Sequence, residues 1–265
     1  MSGVVPTAEF ASIVYGVEGV ADDDPAEAFH EASRLYPRVA PARLGALLAL
    51  AQSAELQQTA ARSSRTHAHR PGIVLTHREL PLMSLRDVLA RRRSQAPPAC
   101  RTLPLDELAV LLEAGYAVSG CRRPVPSGGA LYPLELYVLA LAVDGTQPSV
   151  FHYDPFGHRL ELLAPLDRSR VGATFVDPSL AERASAVLVL TAMFWRSRFK
   201  YGLRGYRFAL LEAGQVAQNV VLAAAALGLP VLPVGGFFDR SLDALVGADG
   251  LDEASLYAFV IGGHE

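Results

Sequence analysis

The stretch Lys200-Tyr201-Gly202-Leu203-Arg204-Gly205-Tyr206-Arg207 sets an amine beside a phenol, with glycines and guanidinium groups close by. Such groups can take up or deliver a proton. In a surface loop the same side chains are simply solvated, and the residues alone leave both readings open. A second cluster, Arg91-Arg92-Arg93-Ser94, offers guanidinium forks that match phosphate oxygens two at a time, with a hydroxyl beside them. Cations are also ordinary at the C-terminal end of a helix, where they face unpaired carbonyls.

Two glycine pairs complete the set. Pro126-Ser127-Gly128-Gly129-Ala130-Leu131-Tyr132-Pro133 runs into an apolar stretch, and Pro233-Val234-Gly235-Gly236-Phe237-Phe238 closes another. Without Cβ atoms in the way, backbone N–H groups can come up to the edge of a flat ligand and donate to its acceptors. Neither segment is a phosphate-cradling P-loop, because no Gly-Lys-Ser/Thr follows. Ser127 lacks the Gly-x that precedes the serine of a nucleophile elbow. An ordinary loop beside a strand has the same composition.

The elements that must carry these residues are legible in outline. Leu134 to Val143 and Ala186 to Phe194 are continuous apolar runs, the pattern of buried strands. Val150-Phe151-His152-Tyr153 and His158-Arg159-Leu160-Glu161-Leu162 flank Asp154-Pro155-Phe156-Gly157, whose residues suit a turn, so a hairpin is predicted. Ser84 is placed to cap a short helix through Arg91, Pro104 opens another, and Tyr206 to Leu227 reads as a long helix. Ala213, Gly214 and Ala217 on that helix would let a second helix approach closely. Leu256 to Ile261 reads as a last strand. Strands and helices without regular β-α-β spacing point to an α+β fold.

Residues 1–80 differ in texture from the rest. They hold the acidic Asp22-Asp23-Asp24 and an Ala/Leu-rich stretch, Ala42 to Ala61, with leucines at near-helical spacing. Arg62 to Gly72 reads as a linker or exposed loop. A boundary near residue 80 therefore divides an N-terminal extension, 1–80, from a domain spanning 81–265.

Net charge is −3 and the sequence pI about 6.2, so no broad basic field invites nucleic acid or an anionic membrane, and any anion site must be local. Cys100 and Cys121 form no C-x-x-C pattern and no histidines gather around them, so neither a disulfide framework nor a metal site is expected. Val220 to Phe238 is the most apolar stretch, but Pro230, Pro233 and Gly235-Gly236 break it, and no membrane segment is expected. Met1 to Glu18 has no basic segment followed by an apolar one, which reads as a cytoplasmic protein.

Taken in order, the Arg92-Arg93-Ser94 run, PSGGALYPLELYV, FHYDPFGHRLELL, KYGLRGYR, LLEAGQVAQNVVLAAAALGL and PVGGFFD resemble the SagB-type azoline dehydrogenases of the nitroreductase superfamily. So does His30-Glu31-Ala32-Ser33-Arg34-Leu35-Tyr36-Pro37, and the resemblance covers residues 27–263. It implies a nitroreductase-like FMN fold, a mixed central sheet flanked by helices, with an N-terminal helical extension. It implies a homodimer with FMN at the subunit interface. Arg92, Arg93 and Ser94 would hold the phosphate, ribityl chain and pyrimidine edge. Pro126, Ser127, Gly128 and Gly129 would reach the flavin ring, in the superfamily often from the other subunit. Gly235 and Gly236 would approach it through backbone, and Arg207 is a further candidate for phosphate. Lys200 and Tyr201 match the family's catalytic pair. The family commonly has another Arg two residues after the Ser; this chain has Ala96.

The activity so implied is FMN-dependent dehydrogenation of peptide thiazoline or oxazoline rings. Its partners would be an azoline-containing precursor peptide and the cyclodehydratase that makes the rings. Two rivals stand beside it: an NAD(P)H-dependent nitroreductase or quinone reductase on the same fold, and a flavin-free scaffold subunit of a peptide-modifying complex.

Overall fold

The computed structural model describes residues 24–37, 52, 53, 55, 64–120 and 122–264. The Leu-rich helix expected over Ala42 to Ala61, and Cys121, lie outside the described residues. Along the chain the first elements are α1 (Pro25–Ala32), β1 (Gly72–Val74), α2 (Leu85–Arg91) and α3 (Leu105–Tyr116). Next come β2 (Leu134–Ala140), β3 (Ser149–Asp154), β4 (Arg159–Pro165), α4 (Arg168–Gly172) and α5 (Ser179–Arg183). Then follow β5 (Ala186–Met193), α6 (Trp195–Tyr201), α7 (Leu203–Leu227), β6 (Val231–Val234), α8 (Asp239–Val246) and β7 (Glu253–Ile261).

The aliphatic runs behave as their composition dictates. β2 is buried along its whole length and β5 along all but its last residue, and they pair at the centre of a seven-stranded sheet ordered β1-β4-β3-β2-β5-β7-β6. The hairpin expected around Asp154 to Gly157 is β3 and β4, and Ser84 caps α2 by accepting from Asp87 N. The fold is α+β as expected. The sheet differs from the mixed one implied: each described strand is antiparallel to its neighbours.

Each sheet face meets a different layer. Leu134, Leu136, Val138, Leu188, Leu190 and Phe259 point toward α3 and α7, forming the larger apolar core. Tyr137, Leu139, Val187, Val189 and Val260 point the other way, toward α4, α5 and α8. α7 is long and apolar enough to cross a membrane by length and composition, but Ala209, Ala213, Val216, Ala217 and Val220 lie buried in the first core. Ala213 and Ala217 therefore serve packing within the chain, while Leu211 and Gly214 are exposed.

The segment expected as a linker is tied down over its described residues. β1 adds to the sheet edge beside β4, although it precedes residue 80. Ahead of it, Arg65 N donates to Glu135 Oε1 at 2.8 Å and His67 N to Glu161 Oε2 at 2.8 Å. The reason is electrostatic: the second sheet face carries a polar row, Glu161, His152, Glu135, Thr191 and Glu253, that aliphatic helices could not cover without stranding charge. His152 is fully buried, with Nε2 2.9 Å from Glu135 and Nδ1 3.0 Å from Glu161. Arg65 meets Glu253 at 2.5 Å, and Tyr137 and Thr191 donate to the same carboxylate.

Candidate active site

The glycine-rich loop ahead of β2 is held in a costly backbone shape. Gly129 has φ +68°, and Ala130 and Tyr132 lie in the left-handed region at +54° and +44°. Left-handed backbone costs a residue with a Cβ about 1–2 kcal/mol, so this loop persists only because other contacts enforce it. Ser127 supplies two of them: its carbonyl accepts from Ala130 N at 3.0 Å and its hydroxyl from Tyr132 N at 2.9 Å. Pro126 is exposed just before the loop.

Lys200 and Tyr201 lie not in a surface loop but in the last turn of α6. α6 and α7 turn a tight corner in which a Cβ on Gly205 would stand 2.6 Å from the Ser197 backbone, which is why glycine is needed there. The corner throws both side chains back over Gly129. A Cβ on Gly129 would lie 2.8 Å from Lys200 Nζ and would collide with the Tyr201 hydroxyl. Lys200 Nζ sits 5.2 Å from the Tyr201 ring centroid, and that ring packs edge-on against Phe208 at 4.9 Å. Phe208 in turn fills the space beside Gly128. The structure thus brings Ser127, Gly128, Gly129, Lys200 and Tyr201 together.

The remaining candidates lie elsewhere. Arg92 caps the end of α2, Arg93 and Ser94 are exposed after it, and Gln95 N donates to Val231 O at 2.8 Å. Arg91, Arg93 and Gln95 line a pocket of ≈ 410 Å³ with Ala225, Gly228 and Pro230. No side-chain hydrogen bond or ion pair among the described residues engages Arg92, Arg93 or Ser94, so their donors are free for an anion. Ala96 packs against the second core. Gly235 and Gly236 are exposed after β6, with Gly236 O accepting from Val176 N at 3.0 Å.

Arg207, a candidate for phosphate, meets a protein partner among the described residues. Its Nη2 donates to the His30 carbonyl at 2.6 Å, and Arg204 reaches Ser33 O at 3.4 Å. Both guanidinium groups meet the carbonyl end of α1, where a helix leaves acceptors unpaired. The His30 to Pro37 motif is thereby docked on the start of α7, with Phe29 edge-on to Tyr206.

Two groups of residues escaped the sequence reading. Glu212, on the buried face of α7, is 2% exposed and accepts from the Tyr116 hydroxyl at 2.7 Å. Arg196, one turn before Lys200, is buried and pairs with Glu135 at 2.6 Å, without hydrogen-bond alignment. The signal existed in both cases: a single Glu among Ala209, Ala213 and Val216, and charged residues inside apolar strands.

Comparison with known proteins agrees with this architecture. Residues 89–263 match the nitroreductase family, and the chain belongs to it. It is 39% identical over 166 residues to MJ1384 of Methanocaldococcus jannaschii, named provisionally as a nitroreductase, covering 60% of this chain and 82% of that one. It is 39% identical over 129 residues to the microcin B17-processing protein McbC of Escherichia coli, covering 44% and 46%. It is 30% identical over 150 residues to the trifolitoxin-processing protein TfxB of Rhizobium leguminosarum bv. trifolii, covering 54% and 40%. The chain thus spans less than half the length of McbC and TfxB. Among solved structures, a nitroreductase-like protein of Ralstonia eutropha superposes with TM-score 0.63 at 25% identity, covering 76% and 92%. A chain of the E. coli microcin synthetase McbBCD complex with truncated pro-MccB17 bound gives TM-score 0.60 at 23% identity, covering 93% and 100%.

Proposed function

We propose that this chain is an FMN-dependent dehydrogenase that converts thiazoline or oxazoline rings of a ribosomally made peptide into thiazoles or oxazoles. The observation that carries the reading is the convergence of Lys200 and Tyr201 on Gly129. The relationship to two peptide-processing proteins, McbC and TfxB, supports the peptide substrate. A cyclodehydratase of the same pathway would supply the rings.

The donor set fits FMN. Arg92, Arg93 and Ser94 would hold its phosphate end, and the backbone of Ser127 to Gly129 and of Gly235 and Gly236 would face its ring. When bound, FMN supplies the hydride acceptor. Arg93 and Gly128 flank opposite ends of α7, beside Ala225 and Phe208 respectively. The helix rises about 26 Å between those two residues, more than a ring and its phosphate arm reach. In this reading one chain's phosphate donors would complete a site with the Ser127–Gly129 loop of a second copy, as a homodimer.

An azoline loses two hydrogens from adjacent carbons, one as hydride and one as a proton. The proton next to the ring C=N and the following carbonyl is the acidic one, and Lys200 Nζ or Tyr201 Oη would receive it. Phe208 holds the Tyr201 ring from the side, limiting its swing. The test is mass spectrometry of a cyclised peptide, with a loss of two daltons per ring expected. No loss, together with rapid bleaching of bound flavin by NADPH, would instead establish a nitroreductase or quinone reductase. A chain that neither holds nor regains FMN would be a scaffold.

A further inference from the structure

Beneath the Ser127–Gly129 loop lies a carboxyl group that the proposed chemistry does not use. Glu212 and Phe208 stand one turn apart on α7, and both face the loop: Phe208 beside Gly128, Glu212 beside Ser127. Glu212 Oε1 accepts from Tyr116 of α3, while Oε2 is buried without an aligned hydrogen-bond partner. Both neighbouring hydroxyls already accept a backbone N–H, Ser127 from Tyr132 at 2.9 Å and Tyr116 from Leu134 at 3.2 Å. Each therefore has its single proton to give to the carboxylate. The nearby cation is Arg123, stacked on Tyr116 at 4.2 Å and Tyr132 at 4.6 Å, with its terminal nitrogens buried and unpaired.

We propose that Glu212 is a positioning residue for the active-site loop: its carboxylate draws the Ser127 hydroxyl inward and so fixes the Gly128–Gly129 backbone against Lys200 and Tyr201. This rests on the functional reading above for its consequence, though the anchoring itself does not. Burial pushes the Glu212 carboxyl up to about 7, against the opposing pull of Ser127, Tyr116 and Arg123. The anchor consequently tightens as pH rises through neutrality. The same ionisation works against global stability. The folded state binds more protons than the unfolded one between about pH 4.5 and 7, so stability falls as pH rises through that window.

These opposite trends separate a positioning role from a merely structural one. Hydrogen exchange at the Ala130 and Tyr132 amides of the apoprotein, corrected for intrinsic rates, should show protection rising about tenfold from pH 6 to pH 8, as a charge-assisted hydrogen bond forms on the Ser127 hydroxyl that accepts from Tyr132. In Glu212→Gln the step should vanish while Tm at pH 8 rises. In Ser127→Ala the midpoint should move to higher pH, because the carboxylate loses a donor. If Glu212→Gln fails to fold, Glu212→Asp keeps the charge and should keep the step at reduced amplitude. A wild-type protein with no step, or a step that survives in Glu212→Gln, would overturn the proposal. FMN titrations at the same pH values should show affinity about tenfold tighter at pH 8 than at pH 6. A chain that binds no FMN at any pH defeats the functional reading, while the exchange data still decide the role of Glu212.

Discussion

Gly129 and Lys200 meet through space across 71 residues of chain: a methyl group on Gly129 would stand 2.8 Å from the lysine amine. The Tyr201 hydroxyl crowds the same point, and Gly129 has a left-handed φ of +68°. Gly129→Ala should therefore cost about 1–2 kcal/mol in stability from backbone strain. It should cost activity far more, on the order of 10²-fold, since reacting groups displaced by about 1 Å lose their alignment. Urea unfolding and turnover on a cyclised peptide measure the two effects separately. Equal losses in both would mean the contact is only structural.

Lys200→Ala and Tyr201→Phe should each lower ring oxidation by about 10²–10⁴-fold, the usual worth of general acid–base catalysis. The flavin should stay bound. Tyr201→Phe keeps the ring on Phe208 and removes only the hydroxyl, so it tests proton chemistry more cleanly than truncation does. Wild-type turnover in either variant would remove that residue from the mechanism.

Arg93→Ala should weaken FMN by about 2–4 kcal/mol, because a lost guanidinium leaves phosphate charge unpaired. Arg207→Ala should leave FMN affinity unchanged and loosen α1, since its partner is the His30 carbonyl. Flavin fluorescence titration reads the first effect and limited proteolysis near residues 25–33 the second. A reversal of the two outcomes would relocate the phosphate site.

The buried row on the sheet sets a pH window. Burial opposes charge on His152, but Glu135 and Glu161 outweigh it and raise its pKa. Its contribution to stability is complete below about 6.5 and is lost as pH rises through the higher folded value. Burial likewise pushes Glu135 up, yet His152 and Arg196 hold it below the ordinary carboxylate range. That contribution is present above about 4.5 and lost as pH falls through the lower folded value. His152→Gln should cost about 3–5 kcal/mol at pH 6, because carboxylates are left buried without their cation. The penalty should shrink toward alkaline pH in urea titrations. A penalty independent of pH would mean that His152 is neutral in the folded protein.

The strands around Val138 and Leu188, the cap at Ser84 and the turn at Asp154 to Gly157 were legible because each depends on short-range pattern: apolar continuity, a hydroxyl before a helix, turn chemistry. The motif order likewise placed Lys200, Tyr201 and the glycine pairs among the functional candidates. What they do together was not legible, because the α6–α7 corner and the left-handed loop bring together residues 71 positions apart. Arg207 shows the limit most plainly. Its charge suits a phosphate or a helix end equally well, and the docking of α1 on α7 gives it a carbonyl partner that no local pattern announced. The charged residues in the strands were a signal without a stated partner: Glu135, His152 and Glu161 found theirs only when the sheet register aligned them and residues 64–67 covered them. Local propensity acts between neighbours in sequence, whereas the balance of buried charge is settled only when distant segments close over it.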